Sequence, residues 1–192
     1  MRKIHVIIGA AGSGKRMGAP VPKQFLKQGG RTILEQTVQK FVDCDFVENI
    51  VIVAGEDYLE TCGHLCERQA PQGRIHVTAG GKERQDSVCR AMAFLEKKGV
   101  GAEDIVLVHD GVRPYVSKEI IRTVAAAAEE KGAAIAAVPP KDTIRHVEGS
   151  KEFLVHVSRA DYETVIQEKK SIISPRRKFI IWKQRVAIHT YI

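Results

Sequence analysis

Short runs of β-branched and other apolar residues alternate along the first 140 positions with longer segments whose apolar residues recur every three or four places. That rhythm admits few folds, because strands separated by helices return parallel to one another and build βαβ units. Residues 5–8, 50–54, 74–78, 105–108 and 134–138 are the strand candidates. Residues 32–42, 57–68, 84–97 and 118–131 carry the helical spacing, with Ser117 and Gly132 bounding the last of them as an N-cap and a C-terminal glycine would. The strand runs are nearly continuous in apolar character, so helices are expected to cover both faces of the sheet. The expected architecture is α/β: a three-layer α/β/α sandwich around a Rossmann-like, mostly parallel sheet.

Composition narrows the class. A chain of 192 residues with 44% hydrophobic and 28% charged residues is sized and composed like one soluble domain. No stretch approaches the ~20 apolar residues needed to span a bilayer, and the basic start Met1-Arg2-Lys3 leads into a short apolar run without a cleavage-type site. A cytoplasmic protein without a membrane partner is expected. Cys44, Cys62, Cys66 and Cys89 fall in segments read as helical, which suits reduced thiols, and Cys62-Gly63-His64-Leu65-Cys66 lacks the second ligand pair of a structural zinc site. Residues 1–150 hold 21 Lys and Arg against 19 Asp and Glu, and residues 151–192 hold 9 against 4. The basic excess therefore lies in the tail, which has only Phe179 and Trp182 between residues 169 and 185 and so lacks the aromatic interleaving of a nucleic-acid stacking surface.

In an open parallel sheet, ligands bind beyond the carboxyl ends of the strands, and three polar segments leave those ends: residues 9–23, 79–87 and 109–114. The first contains Gly12-Ser13-Gly14-Lys15-Arg16-Met17-Gly18. A glycine-rich turn leaving a strand can aim several backbone N–H groups at a phosphate. It is not an ordinary P-loop, since Arg16 stands where Ser or Thr must hold magnesium, and its glycines are one residue too far apart for the dinucleotide fingerprint. Read with Pro22-Lys23-Gln24-Phe25-Leu26, the loop presents Arg16 and Lys23 seven residues apart, two cations beside backbone donors. That suits attack on an α-phosphate, where charge builds on the non-bridging and leaving oxygens. A structural turn with solvated basic residues is the alternative.

Gly80-Gly81-Lys82-Glu83-Arg84-Gln85-Asp86-Ser87-Val88 opens a helix, whose amides and small polar side chains can read a base edge or simply cap the helix. In Val108-His109-Asp110-Gly111-Val112-Arg113-Pro114, Asp110 ends a buried strand, where a carboxylate could hold a phosphate-bridging Mg2+ ion or cap a turn.

Together these segments resemble the 2-C-methyl-D-erythritol 4-phosphate cytidylyltransferase family of nucleotidyltransferases, from the non-mevalonate isoprenoid pathway. The resemblance implies transfer of a cytidylyl group from CTP to a polyol phosphate, with Arg16 and Lys23 stabilising the transition state. It implies that Ala10, Ala11, Gly12 and Gly14 contact the nucleotide, that Gly81 and Ser87 meet cytosine, and that Asp110 binds Mg2+ beside both substrates. Arg113 belongs to the same cleft, and Val112 replaces the family's usual alanine. Val138-Pro139-Pro140-Lys141-Asp142-Thr143-Ile144 is similar to the start of a protruding β-arm through which subunits form homodimers, with a hairpin turn expected at Glu148-Gly149-Ser150. Thr143 and Arg159 are then substrate contacts.

The resemblance covers roughly residues 1–159, giving a nucleotide-binding core over 1–140, an arm over 141–159 and a divergent basic tail over 160–192. Past Arg159 the family's Leu-Trp, Gln-Thr-Pro-Gln and Thr-Asp motifs and its substrate-binding lysine are missing, and no pattern in the tail promises a strand to complete the sheet. The expectation is a chain truncated or read out of frame there, with the nucleotide half of the cleft intact. A ribitol-5-phosphate cytidylyltransferase shares the loop and the fold, and a catalytically impaired nucleotide-binding remnant is the reading from another class.

Overall fold

A computed structural model describes residues 2–12, 21–69 and 73–137, together with the backbone of three short strands farther on. The sheet is built from β1 (Ile4–Ala10), β4 (Val47–Ala54), β5 (Ile75–Ala79), β6 (Ile105–Asp110) and β9 (Phe179–Ile181). Its order is β5-β4-β1-β6-β9, and every neighbouring pair runs parallel. A small antiparallel pair, β2 (Lys27–Gln28) with β3 (Arg31–Thr32), precedes helix α1 (Ile33–Val42). The remaining helices are α2 (Leu59–Gln69), α3 (Arg84–Lys97) and α4 (Lys118–Lys131). The chain departs from β1 in both directions across the sheet, so the order reverses between β1 and β6. A crevice at their carboxyl ends follows from that topology.

Strand residues sort to the two faces with a period of two. Val6, Ile8, Ile50, Ile52, Ile105 and Leu107 pack with α1, α2 and α4. Their sequence neighbours Ile7, Val51, Val53, Val106 and Val108 pack with α3 through Ala91, Met92 and Leu95. Both faces of the central strands are thus sealed, which is why those strands read as continuous apolar runs.

The helix ends follow from local chemistry. Thr32 Oγ1 accepts from the Glu35 N–H at 3.1 Å and Glu35 Oε2 accepts from the Thr32 N–H at 2.6 Å, a reciprocal capping box for α1. At α4, Ser117 Oγ accepts from the Ile120 N–H, and Gly132 closes the helix at φ 85°, a left-handed conformation that favours glycine.

Three expectations are corrected. Residues 133–137 carry no strand, and Val138 lies outside the described residues. That segment is mostly alanine, whose weak β-propensity gives a strand little to pack. The place beside β6 belongs instead to Phe179–Ile181, in register Val106 with Phe179 and Val108 with Ile181, so the tail does supply a strand. Within the segment expected as the arm, β7 (Arg145–His146) pairs antiparallel with β8 (Val155–His156). Its turn lies outside the described residues. Cys44 sits just past α1 and not within a helix, and all four cysteines are free. Among the described residues no helix is long and apolar enough to cross a membrane.

At the amino end of β1, His5 is 1% exposed. Its Nε2 lies 3.6 Å from Asp104 Oδ2, too far for a good hydrogen bond, while Nδ1 meets the Asn49 amide at 3.1 Å. Burial holds the imidazole below its ordinary value of 6.5 despite the nearby carboxylate. His5 is therefore neutral in the fold at pH 7, and below about pH 6.5 the unfolded chain takes up a proton that the fold resists. Stability contributed by His5 is present above that pH and lost as pH falls below it. Urea midpoints measured at pH 7.5 and 5.5 should drop in the wild type, and His5→Gln should drop less; an equal drop would show that His5 carries none of the pH dependence.

Candidate active site

The site is assembled where β1, β5 and β6 end. β1 delivers Ala10, Ala11 and Gly12, and the chain returns at Lys23–Phe25 as a single 3-10 turn. Gln24 in that turn is 4% exposed, and its amide donates to the Ala10 carbonyl at 2.6 Å and the Gly12 carbonyl at 2.9 Å. One buried side chain thus ties the root of the glycine loop to the turn that carries the exposed Lys23. The stacked rings of Phe25 and Tyr58, 4.4 Å apart, hold the far side of the turn.

The segment after β5 lies directly against this root. The Gly80 N–H donates to the Ala54 carbonyl at 2.8 Å, and a Cβ on Gly80 would stand 2.6 Å from the Ala11 Cβ. Only glycine allows that approach. Ser87, 9% exposed, donates through Oγ to the Glu83 carbonyl and accepts from the Gly81 N–H, both at 3.0 Å. Its hydroxyl therefore shapes the loop opening α3 and keeps one lone pair for another donor.

On the other side, the Gly111 N–H donates to the Gly9 carbonyl at 2.9 Å. A Cβ on Gly111 would meet that oxygen at 2.9 Å and Leu34 Cδ1 at 3.1 Å. Thr37, fully buried, donates toward the Gly111 carbonyl at 3.0 Å. These contacts place Asp110 at the mouth. Its Oδ1 accepts from Arg84 at 2.5 Å and its Oδ2 from Arg113 at 2.9 Å. Beneath it, His109 is 2% exposed, donates from Nε2 to the Arg113 carbonyl at 3.0 Å and meets Phe41 edge-on. Burial pushes this imidazole down to about 4, so it stays neutral and acts as a prop for the Asp110–Arg113 turn.

Of the residues expected from sequence, Ala10, Ala11, Gly12, Gly81, Ser87, Asp110 and Arg113 meet at one end of the sheet, with Lys23 on the adjoining turn. Gly14, Arg16, Thr143 and Arg159 lie outside the described residues. Gln24 and Arg84 escaped selection as site residues although both stand in the motifs read. A glutamine between a lysine and an aromatic, just after a proline, was the only signal for the first.

Among the described residues no three His, Cys, Asp or Glu side chains group as metal ligands. Asp110 can still fit a Mg2+ ion, since each of its oxygens gives one lone pair to a guanidinium and keeps another. Mg2+ is commonly held by one or two carboxylates completed by substrate phosphates, and a single carboxylate at this cleft matches an ion arriving with a triphosphate.

Gln24→Glu tests the clamp with nearly the same shape. The carboxylate cannot donate to either carbonyl, so unfolding free energy should fall by about 1–3 kcal/mol in urea titration. An unchanged midpoint would mean that the two bonds do not hold the loop.

The model of the 2-C-methyl-D-erythritol 4-phosphate cytidylyltransferase family matches residues 4–166, seven positions beyond the limit read from motifs. A relative of that name from Halalkalibacterium halodurans is 43% identical over 144 residues, 75% of this chain and 61% of the relative. One from Clostridium botulinum strain Eklund 17B is 41% identical over 148 residues, 77% of this chain and 64% of the relative. The chain thus spans less than two thirds of the length of these relatives. The crystal structure of 4-diphosphocytidyl-2C-methyl-D-erythritol synthase from Anaerococcus prevotii aligns with a TM-score of 0.65 at 20% identity, over 94% of this chain and 88% of that one, and so shares the fold. On the family match and these identities, the chain belongs to the 2-C-methyl-D-erythritol 4-phosphate cytidylyltransferase family.

Proposed function

We propose that the cleft transfers a cytidylyl group from CTP to 2-C-methyl-D-erythritol 4-phosphate and releases pyrophosphate. The observation that carries this reading is the joining of three strand-end segments by Gly80 against Ala11, Gly111 against Gly9, and Arg84 against Asp110. It brings the root of the glycine loop, the loop that opens α3 and the acidic end of β6 to one end of the sheet, which supports the reading of one nucleotide bound across them. A phosphate oxygen of the acceptor attacks the α-phosphorus in line, the bond to the β-phosphate oxygen breaks, and its electron pair leaves on pyrophosphate. No protein nucleophile is required, so the chain's task is positioning and charge stabilisation.

In this reading the backbone of Ala10, Ala11, Gly12 and Gly14 cradles the triphosphate, while Arg16 and Lys23 offset charge on the transferring group. Gly81 and Ser87 receive the base. The free lone pair on Ser87 Oγ can accept from the exocyclic amino group of cytosine, whereas uracil would set an oxygen against it. Asp110 would hold Mg2+, which screens phosphate charge when bound. Arg113, Thr143 and Arg159 take the acceptor phosphate and hydroxyls. The β7–β8 hairpin serves as the arm of a homodimer, and the use of CTP implies a cytoplasmic setting. Ribitol 5-phosphate is the competing acceptor; the relatives described above both carry the methylerythritol name.

Pyrophosphate release should be followed with both acceptors, alongside calorimetric binding of CTP in Mg2+. The methylerythritol phosphate should support the faster release. Arg16→Ala and Lys23→Ala should each lower turnover by about a hundredfold or more with unchanged circular dichroism, and Asp110→Ala should abolish the Mg2+ dependence. CTP binding without release would mark a nucleotide-binding remnant. The absence of both would overturn the proposal.

A further inference from the structure

Asp110 is 16% exposed at its side chain and is bracketed by two guanidiniums that differ in how they are held. Arg113 is built into the turn: its N–H donates to the Asp110 carbonyl at 3.1 Å, its own carbonyl accepts from His109, and its side chain is 33% exposed. Arg84 comes from 26 positions earlier, on the first residue of α3, and reaches Oδ1 through one terminal nitrogen while 57% exposed. An ion pair that exposed contributes little to stability and exchanges readily. Its backbone belongs to the loop that Gly81 and Ser87 shape. One long cation therefore links the base-side loop to the carboxylate at the opposite strand end.

We infer that Arg84 is a positioning residue that holds Asp110 until nucleotide binds, then releases Oδ1 to a divalent ion and turns its guanidinium onto the phosphates. The inference rests on the reading of the cleft as a CTP site. Oδ1 keeps a lone pair for the ion, but two cations at one carboxylate oxygen repel each other at close range, so Arg84 competes with the ion before nucleotide arrives. Once phosphates are present, Arg84 has a second anionic partner for which guanidinium geometry is well matched. The exchange makes nucleotide and ion bind cooperatively, and by linkage each must raise the affinity of the other by the same factor. Arg113, anchored at Oδ2, keeps the carboxylate in place throughout.

Mn2+ binding followed by electron paramagnetic resonance, with and without CTP, tests this in the wild type, Arg84→Gln, Asp110→Asn and the double variant. Without CTP, Arg84→Gln should bind Mn2+ about fivefold tighter than the wild type, and the cooperativity between Mn2+ and CTP should shrink by about tenfold. Asp110→Asn should remove that tightening in the double variant. Arg84→Lys should keep part of the wild-type cooperativity, since it retains the charge. Equal Mn2+ affinity in the wild type and Arg84→Gln without CTP would overturn the inference, as would tightening that persists in the double variant. Parallel weakening of Mn2+ and CTP with unchanged cooperativity would do the same, because it would mark a merely structural ion pair. If the wild type binds CTP but the variants match it, only this inference fails; if it binds no CTP under any condition, the reading of the cleft fails as well.

Discussion

The hydrogen bond from the Gly111 N–H to the Gly9 carbonyl extends the pairing of β1 and β6 one step past the last strand residue. It forms because Gly111 carries no side chain that would push the two chains apart; a Cβ there would stand 2.9 Å from that same carbonyl oxygen. From this contact follow the position of Asp110 at the mouth of the cleft and the turn that returns Arg113 to it. The buried hydroxyl of Thr37 and the buried imidazole of His109 support the turn from below, each by a bond to a backbone carbonyl. A second glycine contact, Gly80 on Ala11, does the same for the loop that opens α3. The cleft is therefore held by backbone and small residues, which fits a reaction that needs preorganised donors more than reactive side chains.

Charge is distributed around this frame by burial. The imidazoles of His5 and His109 are kept neutral inside, where burial lowers both. The guanidiniums of Arg84 and Arg113 stay partly solvated and meet a single carboxylate. An ionised group that is half in water can change partners at small cost, while one sealed in the core cannot. Arg84 at the mouth is so placed, while Arg113 is built into the turn that His109 supports from beneath.

Much of this was legible in the amino-acid order. Helices α3 and α4 begin and end where periodicity, Ser117 and Gly132 place them, and four of the five strand runs fall within observed strands or within one residue of them. These elements have strong, consistent local signals. The strand expected at residues 134–138 did not, since alanine-rich sequence has little β-preference, and the three residues of β9 are too short and too basic in context to show a period. The site was legible as three motifs, because glycine spacing and a terminal aspartate carry their own chemistry. Gln24 and Arg84 were not, because their importance lies in contacts made 12 to 26 positions away. No local rule reports such pairs.

The central claim is that a cytidine triphosphate sits across the carboxyl ends of β1, β5 and β6. An amide NMR titration with CTP in Mg2+ tests it most directly, by showing which backbone positions respond. Shifts should concentrate at Ala11, Gly12, Gly81, Ser87, Gly111 and Arg113, leave His5, Asn49 and Asp104 at the opposite end of the sheet unmoved, and be weaker with UTP. Shifts centred on that opposite end or on the outer face of α2, or an indifferent response to the base, would contradict it.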